Sequence, residues 1–281
     1  MVMELKGKTA IITGSARGIG QGIATVFGRE GANVVVNGLT ADSCAETIKK
    51  VEVAGGKAIG VGADVSKAAD QAAMVAAAIN AFGTVDILVN NAGIEATPHL
   101  LQDLPEEQWD KVLGINLKGV FLGIKAVLPT MIAKNHGRII NISSTAGIRM
   151  TFFGSADYTV SKHGVTGLTN HLAWELADHH ITVNAICPGG VMTPLMEKGS
   201  TPEFRELIAA RLIPLGRMCT PAEIGEAASF LASDRADMIT GQLIAVDGGL
   251  LSGFGEDLRA TVRKRMEQAQ HREVKSPVMT S

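Results

Sequence analysis

The sequence predicts an α/β fold in which helices flank a doubly wound parallel sheet. Three observations lead to this prediction. Short apolar runs alternate with longer helical patterns along most of the 281 residues, which is typical of right-handed βαβ units. A glycine-rich turn follows the first apolar run. Polar residues follow later runs, at the edge where such sheets bind ligands. We expect one domain over residues 1–255 and a C-terminal extension over residues 256–281.

The composition excludes several functional classes. A net charge of −2 gives no electrostatic footprint for nucleic acid or an acidic membrane. The segment Met1–Lys8 lacks an apolar core of signal-peptide length, and no apolar run approaches the roughly 20 residues of a bilayer span. Cys44, Cys187 and Cys219 lack the spacing of metal ligands, so we expect no metal site and a cytoplasmic protein with reduced thiols.

The first strand and the turn after it predict a nucleotide site. Lys8–Thr13 (KTAIIT) has the pattern of a buried strand, and Gln21–Glu30 is helix-like. Between them, Gly14–Gly20 (GSARGIG) places glycines where positive φ angles and close approach of a phosphate are allowed. The helix that follows offers free N–H groups and the positive end of its dipole. A plain strand–helix connection is the alternative for this turn taken alone.

The remaining elements continue the alternation of strands and helices. Asp64 and Asn90 follow the third and fourth strands, and Gly114, Gly119 and Gly123 lie inside one long helix, where we interpret them as sites of close packing. The predicted strands are Asn33–Asn37, Lys57–Gly62, Val85–Val89, Arg138–Ser143, Thr182–Cys187 and Gln242–Val246; the predicted helices are Ala41–Val53, Lys67–Phe82, Leu104–Lys134, Ala156–Asp178, Thr201–Arg211 and Pro221–Ser233.

Tyr158 and Lys162 form a candidate acid–base pair. They stand four residues apart and therefore share one helical face. A free phenol titrates near pH 10, and we expect the lysine ammonium to lower the pKa of Tyr158 toward the useful range. The alternative for this pair alone is a packed ring beside a solvated charge.

Taken together, these motifs resemble the short-chain dehydrogenase/reductase family. The resemblance covers roughly residues 5–250 and includes Thr13–Gly20, Asp64-Val65, Asn90–Gly93, Asn116, Ser144, Tyr158, Lys162, Pro188-Gly189 and Asp247–Gly249. It implies a Rossmann-like sheet of seven parallel strands in the order 3-2-1-4-5-6-7. It also implies an oxidoreductase that moves a hydride between a nicotinamide and a carbonyl or secondary alcohol. A catalytically weak cofactor-binding sensor or structural homologue is the alternative, although such a protein should lack part of the catalytic set.

The resemblance implies that Ser144, Tyr158, Lys162 and Asn116 form the catalytic set. Ser144 and Tyr158 bind the substrate oxygen, Tyr158 transfers the proton, and Lys162 binds the nicotinamide ribose and relays protons to Asn116. The family usually separates its serine from its tyrosine by thirteen positions. Ser144 lies fourteen positions before Tyr158, and Thr145 lies thirteen. We interpret this difference as one inserted residue in the loop before Tyr158, which keeps Ser144 in its role.

The resemblance also implies a cofactor site and a substrate site. No acid stands at Gly38 to repel a 2′-phosphate, and Arg17, Asn37 and Thr40 are placed to bind one, so NADP(H) is favoured and NAD(H) is the alternative. The cofactor-binding residues, besides Tyr158 and Lys162, are Gly14, Ser15, Arg17, Gly18, Ile19, Gly20, Asn37, Gly38, Asp64, Val65, Asn91, Ala92, Gly93, Pro188, Gly189, Val191 and Thr193. The candidate substrate-lining residues are Glu95, Ser144, Thr145, Met150, Phe152, Phe153, Gly190 and Met192.

We expect a homotetramer, which is usual in this family. The helices Leu104–Lys134 and Ala156–Asp178 would pair between subunits, with Gly119, Gly123, Gly164 and Gly167 allowing close approach. In the extension, Leu258, Val262 and Met266 form an apolar stripe that we expect to pack across a subunit boundary.

Overall fold

Seven parallel strands form one sheet, as the sequence predicts. In this computed structural model, which describes residues 3–150 and 154–252, the strands are β1 Thr9–Ile12, β2 Asn33–Gly38, β3 Lys57–Gly62, β4 Ile87–Asn90, β5 Gly137–Ile142, β6 Ile181–Pro188 and β7 Leu243–Val246. Their order is β3-β2-β1-β4-β5-β6-β7, so both the fold class and the strand order are confirmed. The predictions on Phe152, Phe153 and residues 256–281 lie outside the described residues.

The helices agree with the predictions except at two places. They are α1 Gly18–Arg29, α2 Ala45–Val53, α3 Ala68–Phe82, α4 Glu106–Leu113, α5 Gly119–Lys134, α6 Ala156–Glu175, α7 Pro194–Gly199, α8 Pro202–Leu212 and α9 Pro221–Ala232. The long helix predicted from Leu104 begins at Glu106 and contains a π-helical segment, Gly114–Lys118, between α4 and α5. The short helix α7 was not predicted. Thr193 caps it, because its Oγ1 accepts a hydrogen bond from the Met196 N–H, and Pro194 fits its first turn.

The sheet is buried on both faces by two apolar clusters. Alternate residues of one strand point to opposite faces: Ile12 packs with Phe27 of α1 and Ile224 of α9, whereas Ile11 packs with Met131 of α5. A strand with helices on both faces reads as a continuous apolar run, which is why the short strands were recognisable in the sequence.

The glycines of α5 and α6 serve packing inside this chain. A Cβ on Gly119 would lie 3.1 Å from Val65, and one on Gly123 would lie 2.7 Å from the Asn90 Oδ1. A Cβ on Gly164 would lie 2.8 Å from the Leu117 side chain. The interpretation as close packing sites is therefore confirmed for Gly119 and Gly123, but it is wrong for Gly114, where a Cβ would meet nothing within 4 Å in the described part of the chain. A Cβ on Gly167 would meet nothing within 4 Å among the described residues. The further prediction that these glycines let the helices of two subunits approach closely stays a prediction.

Judged only by its length and composition, one helical stretch is long and apolar enough to cross a membrane. No such stretch was predicted from the sequence. The stretch is Glu106–Lys134, which comprises α4, the π-helical segment and α5. Its buried residues Val120, Ile124 and Val127 belong to the core cluster on one face of the sheet. These residues pack one face of the stretch against the sheet.

Candidate active site

The glycine turn between β1 and α1 adopts the backbone that the sequence predicts. Gly14 and Gly18 both have a φ of +61°. A Cβ on Gly14 would lie 2.8 Å from the Ala92 Cα, and a Cβ on Gly20 would lie 2.7 Å from the Gly14 carbonyl oxygen. Side chains at Gly14 and Gly20 would therefore collide with neighbouring atoms of this chain, so the tight turn requires glycine at both positions.

Asn37 holds the glycine turn from the end of β2. Its Oδ1 accepts a hydrogen bond from the Gly14 N–H at 2.9 Å. Its Nδ2 donates to the carbonyl oxygens of Gly38 at 3.0 Å, Val61 at 3.2 Å and Ala63 at 3.2 Å. The side chain is 2% exposed. The prediction that the Asn37 amide binds a 2′-phosphate is therefore wrong, because both ends of the amide are paired inside the protein.

The first turn of α1 can receive an anion. Its N-cap residue, Arg17, makes no side-chain cap hydrogen bond within the described part of the chain, so backbone N–H groups at this end remain available. The Arg17 side chain is exposed. A Cβ on Gly38 would lie 3.2 Å from the Ala16 Cβ and 2.1 Å from the Ser43 Oγ, so an acidic side chain does not fit at Gly38. These features suit the pyrophosphate of a dinucleotide.

Two predicted residues at the ends of β3 and β4 are engaged with the protein. The Asp64 Oδ1 accepts hydrogen bonds from the Ser66 N–H at 3.0 Å and the Ser66 hydroxyl at 2.7 Å, and these bonds lower the pKa of Asp64. The Asn90 Nδ2 donates to the Asn141 Oδ1 at 2.9 Å, which braces β4 against β5. The predicted role of Asp64 in binding the cofactor stays a prediction.

A cavity of about 910 Å³ opens at the carboxyl edge of the sheet and brings Ser144, Tyr158 and Lys162 onto one wall. The predicted cofactor residues that line it are Ile19, Asn91, Gly93, Pro188, Gly189, Val191 and Thr193. The predicted substrate residues that line it are Glu95, Thr145, Met150 and Gly190.

Met192 is not part of the lining, contrary to the prediction; its N–H donates to the Cys219 carbonyl oxygen at 2.8 Å. Val65 is buried against Gly119.

Ser144 is the hydroxyl that reaches the tyrosine. It follows β5 directly, and its Oγ accepts a hydrogen bond from the Ala146 N–H at 3.1 Å. The Ser144 side chain also acts on the Tyr158 hydroxyl, because it lowers the pKa of that phenol. Thr145 lines the same cavity, but the interaction with Tyr158 comes from Ser144. This arrangement supports an insertion in the loop before Tyr158.

The pKa values of Tyr158 and Lys162 are shifted mainly by burial. Burial raises the pKa of Tyr158 to about 12, the charge of Glu95 adds to this rise, and the hydrogen bond with Ser144 opposes it. Burial lowers the pKa of Lys162 to about 8, against opposing effects of Cys187 and Glu95. The expectation that Lys162 lowers the pKa of Tyr158 is wrong here, because burial of the phenol dominates and the lysine lies 5.7 Å from the ring centre.

The Lys162 ammonium and Asn116 meet beside Gly93. The Lys162 Nζ donates to the Ile142 carbonyl oxygen at 3.0 Å. The Asn116 Oδ1 accepts from the Ile94 N–H at 2.8 Å, and its Nδ2 donates to the Ile94 carbonyl oxygen at 2.9 Å. A Cβ on Gly93 would lie 3.3 Å from the Asn116 Oδ1 and 3.6 Å from the Lys162 Nζ. Asn116 therefore clamps the segment that follows β4 against the lysine, while its predicted part in a proton relay stays a prediction.

An apolar wall closes the side of the cavity away from the glycine turn, and none of its residues was among the predicted substrate-lining residues. It consists of Met196, Phe204, Ile208, Leu212, Ile213, Met218 and Leu250, which come from α7, α8 and the segments around them. Phe204, Ile208 and Leu212 recur every four residues in α8, which is the spacing of one helical face. That spacing was the available signal, although it does not reveal which surface the face covers.

Comparisons with known proteins agree with this geometry. A family model described as enoyl-(acyl carrier protein) reductase matches residues 14–251. The chain is 45% identical over 254 residues to 3beta-hydroxysteroid dehydrogenase 1 of Eggerthella lenta, covering 89% of this chain and 96% of that protein. This chain is a member of the short-chain dehydrogenase/reductase family.

Other members of the family show the breadth of its substrates. The chain is 42% identical over 257 residues to the D-beta-hydroxybutyrate dehydrogenase of Cupriavidus necator, covering 87% of this chain and 98% of that one. The crystal structure of 3-oxoacyl-[acyl-carrier protein] reductase from Brucella melitensis superposes with a TM-score of 0.82 at 35% identity, covering 89% of this chain and 93% of that one. The protein is therefore an NAD(P)-dependent oxidoreductase that acts on CH–OH groups.

Proposed function

We propose that the enzyme interconverts a carbonyl compound and its secondary alcohol through Ser144, Tyr158, Lys162 and Asn116. The observation that carries this proposal is the meeting of Ser144, Tyr158 and Lys162 on one cavity wall at the carboxyl edge of the sheet. The nicotinamide, when bound, supplies or accepts the hydride. The chain's own residues orient the substrate and handle the proton.

In reduction, the substrate oxygen accepts hydrogen bonds from Ser144 and Tyr158. The high pKa of Tyr158 keeps its hydroxyl protonated at neutral pH, so it can donate a proton to the developing alkoxide. The charged form of Lys162, with a pKa of about 8, provides positive potential on the same wall. In alcohol oxidation the proton travels in reverse, and the phenol must first lose its proton.

For the cofactor we propose NADP(H), with NAD(H) as the alternative. The support is the exposed Arg17 at the N-terminus of α1 and the absence of an acid in the sequence Asn37–Thr40. The glycine turn and the first turn of α1 would hold the pyrophosphate, and Val191 and Thr193 would hold the nicotinamide side.

We also propose a cytoplasmic homotetramer. Exposed apolar residues on α5 and α6 support the assembly: Phe121 is 47% exposed, Val160 is 43% and Trp174 is 82%. Such residues lose contact with water when two subunits pair. Size-exclusion chromatography with light scattering measures the mass, and a monomer at micromolar concentration would contradict this assembly.

Turnover of a panel of ketones and secondary alcohols with NADPH, NADH and their oxidised forms tests the proposed reaction. We expect consumption of reduced cofactor that depends on the ketone and is matched by the alcohol product. A chain that binds either cofactor tightly but turns over no member of a broad panel would contradict the proposal.

A further inference from the structure

We propose that Glu95 makes this site reject carboxylate substrates and select neutral carbonyl compounds or alcohols that present an O–H or N–H group near the reacting carbon. The proposal rests on the proposed function and names the class of substrate. Three observations carry it: the place of Glu95 in the cavity, the rigidity of its segment and the apolar character of the opposite wall.

Glu95 stands at the reacting end of the cavity. It lines the same space as Ser144, Tyr158 and Lys162. Its charge acts on both Tyr158 and Lys162, which places the carboxylate within electrostatic reach of the group that binds the substrate oxygen. The Glu95 side chain is exposed where it faces the cavity. The protein around the rest of it raises the pKa of Glu95 by burial, and the charge of Lys162 opposes this rise.

The Glu95 carboxylate remains available to a ligand. No hydrogen bond or ion pair joins its side chain to another residue within 3–150 and 154–252. A carboxylate that is ionised accepts hydrogen bonds and donates none. A substrate hydroxyl or amine can pair with it, whereas a substrate carboxylate at the same place meets a like charge in a partly desolvated site.

The segment that carries Glu95 is held in position. The preceding residue, Ile94, is bound through both its N–H and its carbonyl oxygen to the Asn116 amide, at 2.8 Å and 2.9 Å. Asn116 lies in the π-helical segment and is 1% exposed. The chain is therefore anchored at the residue directly before Glu95.

The rest of the substrate end offers little for an acid to bind. The apolar wall defined above forms the far side, so a largely apolar skeleton fits there. Among the described lining residues, the basic side chains are Lys162 and Arg149, and each already donates one hydrogen bond to a backbone carbonyl oxygen, Lys162 to Ile142 at 3.0 Å and Arg149 to Leu250 at 3.1 Å. Neutral, mostly apolar molecules with one polar group beside the reacting carbon match this distribution.

Matched pairs of ligands test the selection directly. The kinetic pair is ethyl acetoacetate and acetoacetate, and the binding pair is cyclohexanecarboxamide and cyclohexanecarboxylate, titrated into the enzyme with its oxidised cofactor. We expect the neutral member to be preferred by about tenfold or more in kcat/KM and in Kd, the scale of one like-charge contact at intermediate dielectric. Glu95→Gln should raise kcat/KM for the acid and remove most of this preference.

Glu107→Gln is the matched control, since it removes the same charge from the exposed first turn of α4. We expect it to leave the preference unchanged. A wild type that favours the acid in either pair, or an equal preference in wild type and Glu95→Gln, would overturn the inference while leaving the proposed reaction intact. If the wild type reduces neither of these ketones and turns over no member of the broad panel, the proposed reaction is wrong, and this inference is wrong with it.

Discussion

The two ends of the cavity are built in different ways. At the glycine turn, backbone groups form the surface, and side-chain amides hold them: the Asn37 side chain binds Gly14, and the Asn91 Nδ2 donates to the carbonyl oxygens of Thr13 and Gly14 at 2.9 and 3.1 Å. At the opposite end, apolar side chains from α7 and α8 form the surface. The backbone surface at the first end fits a shape that all dinucleotides share. At the second end, substitution of the apolar side chains can change which substrate binds.

This difference also explains what could be predicted from the sequence. The glycine turn depends on residues that are close together in the chain, and each glycine has a local reason, such as the φ of +61° at Gly18. The sheet could be predicted because its strands are apolar and alternate with helices. The apolar wall could not, because Met196, Ile208 and Met218 come together only through the packing of α7 and α8.

Single side chains were predicted less well where burial competes with charge. Lys162 and Tyr158 do lie together, but the sequence cannot show how deeply the phenol is buried, and burial decides the direction of its pKa shift. In the same way, Asn37 stands where a phosphate ligand would be expected, yet the turn of the chain directs its amide inward.

The largest effect should come from the proton-handling residue, which lies between the two ends. Tyr158→Phe removes the hydroxyl and keeps the ring, so we expect kcat to fall by about a thousandfold or more, the upper part of the range for acid–base groups. The Kd of the cofactor should change less than threefold by fluorescence titration. A variant that keeps a tenth of wild-type turnover would contradict the role of Tyr158.

Matched substitutions at the two ends should affect different ligands, the cofactor at the glycine turn and the substrate at the apolar wall. A Cβ at Gly20 would lie 2.5 Å from the Asn91 Nδ2 and 2.7 Å from the Gly14 carbonyl oxygen, so we expect Gly20→Ala to weaken cofactor binding by about a hundredfold, the scale of a few kcal/mol of overpacking. Ile208→Ala, on the apolar wall, should raise KM for an apolar ketone and leave cofactor binding unchanged. Calorimetry measures the cofactor affinity of both variants. Equal losses of cofactor affinity in Gly20→Ala and Ile208→Ala would contradict the different roles of the two ends.

The hydroxyl that binds the substrate oxygen should be Ser144. Ser144→Ala should lower kcat by several-fold to a thousandfold, the range for loss of one donor to a developing oxyanion. Thr145→Ala is the control from the same cavity wall and should change kcat less than threefold. Steady-state kinetics with one ketone compares them. If Thr145→Ala is damaging and Ser144→Ala is silent, the interpretation of an inserted residue is wrong.

The pKa of the active-site phenol can be measured without ambiguity, because Tyr158 is the only tyrosine in the chain. Burial raises its pKa to about 12, so the phenol stays protonated as the pH rises. We expect no tyrosinate absorbance through about pH 10, the ordinary value of free tyrosine, while circular dichroism shows a folded protein. Glu95→Gln should lower the pKa. A tyrosinate step below pH 9 in the folded enzyme would contradict the dominance of burial.

The smallest effect concerns the choice of cofactor at the rim of the glycine turn. Arg17 is exposed, so its pairing with a 2′-phosphate is screened by water and salt and contributes modestly. We expect Arg17→Glu to raise KM for NADPH by about tenfold and to leave KM for NADH within twofold, because only NADPH carries the extra phosphate. Arg205→Glu, on α8, is the control and should affect the two cofactors equally. A wild type that prefers NADH, or equal losses for both cofactors in Arg17→Glu, would show that Arg17 does not select the cofactor, and the rim of the glycine turn would then bind the dinucleotide through features that both cofactors share.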